Sequence, residues 1–309
     1  MTKVAVIGAG LIGRAWSIVF ARAGMEVALW DKFPETVPAA RDYIADRLPE
    51  LRDAGLLADA PDAVLARIHP AASIAEAVAG VDYVQENGPE RIPEKQELFA
   101  ELDRHAAPGV VLASSTSGIP ASAFTEGLAG RARCLVAHPV NPPYLIPLVE
   151  ICPAPWTEAW AVARTREIMT EARQVPATIN REVQGFVLNR LQGALLAEAF
   201  RLIDDGLISP EDLDATVKHG LGLRWSFMGP LETIDLNAPG GLADYCARYG
   251  GLYADLQKQM TPRAWDAELI GKLDAARRAE LPLNMQGVRQ EWRDRRLMAL
   301  LAHKAAQPD

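Results

Sequence analysis

The chain has 309 residues, a formal net charge of -8 and an isoelectric point near 5.3. That length accommodates two domains, the acidic balance disfavours a nucleic-acid partner, and no apolar run reaches the length of a membrane span. Three cysteines, Cys134, Cys152 and Cys246, have neither metal-ligand spacing nor the density of a disulfide framework, so no metal is expected.

The N-terminus enters an apolar strand without a basic region or cleavage site, which reads as a soluble cytoplasmic protein. Lys3 to Ile7 is valine-rich and predicts a buried parallel strand. Gly8-Ala9-Gly10-Leu11-Ile12-Gly13 follows directly, then a helix with Ala15, Trp16, Val19, Phe20 and Ala23 on its apolar face and Gly24 at its end. Val27 to Trp30 is a second strand carrying Asp31 at its carboxyl end. A glycine fingerprint between strand and helix, with an acid about twenty residues on, is the setting of a dinucleotide site. Gly8 permits the turn, Gly10 admits the pyrophosphate to the helix N-terminus, and Gly13 lets helix and strand pack closely. Asp31 accepts from the adenosine ribose and repels a 2′-phosphate, which favours NAD over NADP.

Pro34 to Leu57 predicts a long helix or a helical pair, with Pro49 opening the second segment and Gly55 closing it. Its arginines read chiefly as a solvated face. Ser73 and Glu76 have capping-box spacing. Further strands follow at Arg67 to His69, Val81 to Gln85 and Val110 to Ala113, with a helix from Pro93 to His105. In such sheets ligands lie beyond the carboxyl ends of the strands, which places Glu86, Asn87, Ser115 and Ser117 towards the nicotinamide or the substrate. Serine clusters also make ordinary turns and caps.

Cys134 to Ala137 and Ile146 to Ile151 predict two strands joined by a proline-stiffened turn. Side by side, they bring Glu150 to one imidazole nitrogen of His138 and leave the other free, a general-base arrangement. A helix at Thr157 to Ala172 and a strand at Gln174 to Ile179 close the first domain.

The second half is helical. Gly185 opens a helix through Leu202 with Asn189 in its first turns, and Ser209-Pro210-Glu211-Asp212 starts another that ends near His219-Gly220. Gly220 to Leu231 reads as a loop-and-turn segment. Its Arg224 either pairs with a substrate carboxylate or closes a local turn network. Pro262 to Ala279 and Arg289 to Ala302 predict the last helices. Helices without a sheet to lean on bury their stripes on one another or on a second subunit, so a homodimer through this half is expected. The fold class is therefore α/β: a Rossmann-type, doubly wound, mostly parallel sheet domain over 1–184, then an all-helical substrate and dimerisation domain over 185–309.

Taken together, the glycine fingerprint, the serine cluster, H-P-V-N-P-P-Y-x-I-P-L-V-E, G-F-V-L-N-R-L-Q, G-L-G-x-R-W-x-F-x-G-P-L-E-T and the terminal R-Q-x-W-R-D resemble the 3-hydroxyacyl-CoA dehydrogenase superfamily. Within it the pattern is most similar to the L-gulonate 3-dehydrogenase, or lambda-crystallin, branch. The resemblance implies NAD as cofactor, His138 and Glu150 as catalytic pair, Ser117 and Asn189 as holders of the reacting oxygen, and a homodimer. It assigns cofactor contacts to Gly8, Gly10, Leu11, Ile12, Gly13, Asp31, Glu90, Lys95 and Ser115, and substrate contacts to Asn141, Arg224 and Trp225.

Acyl-CoA members read H-F-F-N-P where this chain has His138-Pro139-Val140-Asn141-Pro142, and the Pro34 to Gly55 region lacks the lysines that clamp CoA phosphates. The expected reaction is NAD-dependent oxidation of the 3-hydroxyl of a small free acid, L-gulonate to 3-dehydro-L-gulonate. Alternative substrates are 3-hydroxybutyrate, 3-hydroxybutyryl-CoA and L-carnitine. The non-enzymatic alternatives are a crystallin-like structural protein and a protein that only binds NAD.

Overall fold

A computed structural model describes residues 1–307. The chain divides into two compact units, residues 1–190 with 293–309, and residues 191–292.

The first unit is built on eight strands: β1 (Lys3–Ile7), β2 (Glu26–Trp30), β3 (Ile68–Pro70), β4 (Tyr83–Glu86), β5 (Val111–Ser114), β6 (Cys134–Pro139), β7 (Leu148–Pro153) and β8 (Val175–Thr178). They lie in the order β3-β2-β1-β4-β5-β6-β7-β8. All neighbours are parallel except β7, which runs antiparallel to β6. Successive residues face opposite sides of a sheet: Val4 and Val6 enter one apolar core, Ala5 and Ile7 the other. With both faces covered, the central strands read as unbroken apolar runs.

Helices α1 (Leu11–Arg22), α2 (Thr36–Asp53), α3 (Pro61–Ala66), α4 (Ile74–Ala77), α5 (Ile92–His105), α6 (Ser122–Thr125) and α7 (Ala159–Glu171) connect the strands. The capping box forms as its spacing predicts: Glu76 N–H donates to Ser73 Oγ at 3.1 Å, and Glu76 Oε2 accepts from Ala72 N–H at 2.7 Å. Pro49 does not open a second segment; α2 runs through it. The buried stripe Val37, Ala40, Ile44, Leu48 and Leu51 lies on both sides of the proline, and its burial outweighs the missing N–H.

In the second unit, α8 (Leu188–Asp204) brings the chain in, and α9 (Pro210–Thr216), α10 (Gly222–Trp225), α11 (Pro230–Asp235), α12 (Gly241–Gln259) and α13 (Ala267–Glu280) follow. The segment read as a loop from Gly220 is helical. A π-turn over Val217–Leu221 carries α9 into α10. A Cβ at Gly222 would lie 3.1 Å from the Val217 carbonyl, so glycine lets the widened turn close. Pro262 likewise starts no helix; Asp266 caps α13 by accepting from Leu269 N–H at 3.0 Å.

The last helix is α14 (Gln286–Ala305). Its residues from Arg293 onward belong to the first unit. Met298 is buried in that core with Leu297 and Leu301 against it, and Tyr144 O–H donates to Asp294 at 3.3 Å. Among the described residues no helix is long and apolar enough to cross a membrane.

Candidate active site

Strand order reverses beside β1, whose neighbours are β2 and β4, and ligands in doubly wound sheets lie at this switch point. A cleft of about 660 Å³ opens there, bordered by Gly8, Gly10, Asp31, Phe33 and Asn87. The three glycines have distinct steric roles. Gly8 has φ +96°, and a Cβ on it would meet the Asn87 carbonyl at 2.9 Å. A Cβ on Gly13 would lie 1.7 Å from the Gly8 carbonyl oxygen, so helix and turn touch there. Gly10 has nothing within 4 Å of its Cβ direction and leaves the helix start open. Leu11 is exposed at that start, whereas the Ile12 side chain packs against the core.

Asp31 is held at the mouth of this cleft. Its Oδ2 accepts from Ala9 N–H at 2.7 Å and its Oδ1 from Phe33 N–H at 2.9 Å. An acid tied to the fingerprint turn, beside an open helix N-terminus, fits a dinucleotide with ribose on the acid and phosphates over Gly10.

Three other residues assigned to the cofactor have protein partners. Lys95 is 1% exposed; its Nζ bonds both oxygens of fully buried Glu86 at 3.1 and 3.0 Å and Ser114 Oγ at 3.3 Å. It ties the ends of β4 and β5 together and does not border the cleft. Ser115 Oγ accepts from Trp16 Nε1 at 3.0 Å and Gln85 Nε2 at 2.7 Å, and donates to Asn87 Oδ1 at 2.7 Å. Its hydroxyl is fully engaged in holding three elements together. Glu90 orders the serine loop, accepting from Thr116 Oγ1 at 2.7 Å and from Ser117 N–H and Oγ at 2.5 and 2.9 Å.

The catalytic candidates are held by two sets of hydrogen bonds that meet at the start of α8. His138 and Glu150 are direct partners in the antiparallel register of β6 and β7. His138 Nδ1 lies 2.9 Å from Glu150 Oε2, with both side chains buried, and Nε2 has no partner among the described residues. Glu150 Oε1 accepts from Val187 N–H at 2.9 Å and Leu188 N–H at 2.8 Å. Burial pushes the Glu150 carboxyl up. The bonds from His138, Leu188 and Val187 outweigh it and hold the group below the usual glutamate range.

The chain reaches those two N–H groups through a left-handed pair, Gly185 at φ +74° and Phe186 at φ +52°. A phenylalanine in that region is strained. Its ring is fully buried, 5.4 Å from the imidazole, and packing holds it there. Three residues on, Asn189 Nδ2 donates to the Ser117 carbonyl at 2.5 Å, joining the start of α8 to the serine loop.

Asn141, just past β6, is exposed, and its bond to Pro142 is cis. Arg224 and Trp225 are exposed on α10 in the second unit. Cys134 and Cys152 lie in β6 and β7, where burial pushes their thiols up to about 12 and about 11, too high for thiolate chemistry.

Comparison with known proteins identifies the family. Residues 3–183 match the 3-hydroxyacyl-CoA dehydrogenase, NAD binding domain, and residues 185–278 the 3-hydroxyacyl-CoA dehydrogenase, C-terminal domain. Lambda-crystallin of Oryctolagus cuniculus is 40% identical over 302 residues, covering 96% of this chain and 94% of its own. L-carnitine dehydrogenase of Streptomyces coelicolor is 40% identical over 249 residues, 80% of this chain and 77% of its own. Among solved structures, 5-formyl-3-hydroxy-2-methylpyridine 4-carboxylic acid 5-dehydrogenase, an NAD+ dependent dismutase, has a TM-score of 0.85 at 28% identity, covering 100% of both chains. The chain thus belongs to the 3-hydroxyacyl-CoA dehydrogenase family, in close kinship with its lambda-crystallin branch, and is an NAD-dependent dehydrogenase of that type.

Proposed function

We propose that the protein oxidises the 3-hydroxyl of a small free 3-hydroxy acid, with L-gulonate to 3-dehydro-L-gulonate as the leading reaction. The buried His138–Glu150 pair, with Nε2 unpartnered among the described residues, is the observation that carries this reading. NAD, which Gly10 and Asp31 would hold, would supply the acceptor for the hydride that leaves C3. His138 takes the hydroxyl proton on Nε2. Glu150 keeps the other ring proton on Nδ1 and stabilises the imidazolium that forms, as the buried acid of a triad does. Ser117 and Asn189 flank the reacting oxygen and Asn141 the substrate beyond it. On the second unit, Arg224 with Trp225 supplies one candidate receptor for the substrate carboxylate.

A free acid is favoured over a CoA thioester by the α2 segment. It carries no lysine between Pro34 and Gly55. Its arginines are occupied: Arg41 by the Ile68 carbonyl, Arg47 by Glu50, and Arg52 by the carbonyls of Leu57, Ala58 and Asp59. L-Carnitine is the second reading, since a carnitine dehydrogenase is 40% identical. The Tyr245 and Tyr249 rings, 4.7 Å apart, offer its cation an aromatic face.

Exposed Leu223, Phe227, Leu231 and Leu236 in the second unit support a homodimer through that unit. Sedimentation at twice the 33.5 kDa chain mass is the expected result. The direct test of the chemistry is His138→Ala: turnover is expected to fall about 10²- to 10⁴-fold with NAD affinity unchanged. A variant with full turnover removes His138 from the mechanism.

A further inference from the structure

Phe186 is the one large apolar residue among the described residues that is held in the left-handed region, at φ +52°, directly after Gly185 at φ +74°. Glycine adopts that conformation freely and asparagine at little cost, whereas a phenylalanine there persists only where its surroundings hold it. The turn closes with Phe186 N–H donating to the Val183 carbonyl at 3.2 Å, a bond that asks for no aromatic side chain. What the ring touches accounts for its presence.

Alternate residues of a strand share a face, so Val136 and His138 on β6 project together with Glu150 and Cys152 on β7. Phe186 is fully buried in the core on that face, in one cluster with Val136 and Cys152. Its ring centroid stands 5.4 Å from that of the imidazole, with the planes 44° apart, and it is the only aromatic ring packed on His138 among the described residues. The imidazole itself has a single hydrogen bond, from Nδ1 to Glu150 Oε2 at 2.9 Å. One such bond fixes a point and leaves the ring to swing about it, because the χ2 torsion of histidine is broad. The Phe186 ring supplies the second constraint and sets the plane in which Nε2 points.

The backbone of the same residue serves the carboxylate. With Phe186 left-handed, the next two N–H groups, those of Val187 and Leu188, converge on Glu150 Oε1 at 2.9 and 2.8 Å. Successive N–H groups beside a left-handed residue form an anion-binding nest. Ring and backbone thus act on the two halves of the pair from one position, which a glycine or an asparagine at 186 would not do.

We propose that Phe186 is a positioning residue for the reaction: its ring fixes the imidazole plane of His138 and its left-handed backbone fixes Glu150, so that Nε2 is aimed at one point. This inference rests on His138 as the general base, the reading given above.

Phe186→Leu keeps apolar volume and the strain but not the flat ring; Phe186→Gly relieves the strain and leaves a cavity. The two lose stability for opposite reasons, and a folding defect in one leaves the other to report. The test is NADH formation with L-gulonate and the 3-hydroxybutyrate enantiomers, alongside thermal melting and NAD titration, on wild type, both variants, His138→Ala, and His138→Ala with Phe186→Leu. In both Phe186 variants kcat is expected to fall about 10- to 100-fold, with NAD affinity within about twofold of wild type. The Phe186→Leu effect should vanish once His138 is gone. Variants that melt lower but keep kcat would show a packing role alone and overturn the inference, as would an undiminished Phe186→Leu effect without His138. Full rate in His138→Ala removes the general base and this inference with it; loss there beside full rate in both Phe186 variants removes only the inference. NMR of histidine-labelled protein reads the ring without a substrate. The His138 signal, identified by its absence from His138→Ala, is expected to be single in wild type and broadened or split in both Phe186 variants. An unchanged signal overturns the inference even where none of the acids is turned over.

Discussion

Replacing Glu150 by glutamine tests the buried pair without removing its shape. The amide oxygen can still accept from Val187 and Leu188 N–H, which Glu150 Oε1 now holds at 2.9 and 2.8 Å. That orientation turns the amide NH₂ towards His138 Nδ1, where a carboxylate oxygen lies 2.9 Å away. An N–H donating to Nδ1 forces the ring proton onto Nε2, the atom that must accept the substrate proton. Misplacing the tautomer and losing the charge that balances the imidazolium should lower kcat by about 10²- to 10⁴-fold, or about 2.7–5.4 kcal/mol in the barrier. NADH formation followed by absorbance gives kcat, and a parallel NAD titration shows whether the cofactor site survives. A kcat within threefold of wild type, with NAD binding intact, would refute the role assigned to the carboxylate. The same substitution has a pH signature. Since the folded Glu150 carboxyl sits below its unfolded value, its charge contributes stability above the ordinary glutamate range of about 4.3, and that contribution is lost as pH falls through the lower folded value. The stability gap between wild type and variant should be full at neutral pH and close on acidification.

Gly13→Ala and Gly10→Ala should separate packing from binding. The first drives a methyl to 1.7 Å from the Gly8 carbonyl and should fail to fold or melt far below wild type; the second meets nothing within 4 Å and should melt near wild type yet lose NAD affinity. Asp31→Ser should shift the kcat/KM ratio of NAD to NADP towards NADP, with some stability lost through the Ala9 and Phe33 N–H bonds; an unchanged ratio removes the acid from cofactor selection. Lys95→Met leaves fully buried Glu86 without its cation and should cost about 3–5 kcal/mol in denaturant unfolding. Lys95→Met with Glu86→Gln should recover much of that loss, an outcome a direct cofactor contact would not give.

The sheet was legible because its signals are local. Val4 to Ile7 is apolar on both faces, and the observed β1 has the bounds Lys3–Ile7 that the pattern predicts. The apposition of His138 with Glu150 followed from two short strands and a proline turn, and the register pairs them directly. What escaped depends on distant contacts. Pro49 argued for a break, but a buried stripe on either side keeps α2 continuous. The glycines at 220 and 222 argued for a loop, yet they permit a π-turn inside a helix. Arg293 onward is helical as expected, but Met298 and Asp294 find their partners in the sheet unit, which no periodicity records. At the site, Lys95 and Ser115 have the residue types of cofactor contacts while their polar atoms face Glu86, Trp16, Gln85 and Asn87.

The most direct test of the whole account is the initial rate of NADH formation with NAD and, in turn, L-gulonate, the 3-hydroxybutyrate enantiomers, L-carnitine and 3-hydroxybutyryl-CoA. The predicted result is highest kcat/KM on a free 3-hydroxy acid, led by L-gulonate, and loss of that rate in His138→Ala. Preference for the CoA ester would contradict the free-acid assignment, and no turnover of any of them would contradict the proposed reaction itself.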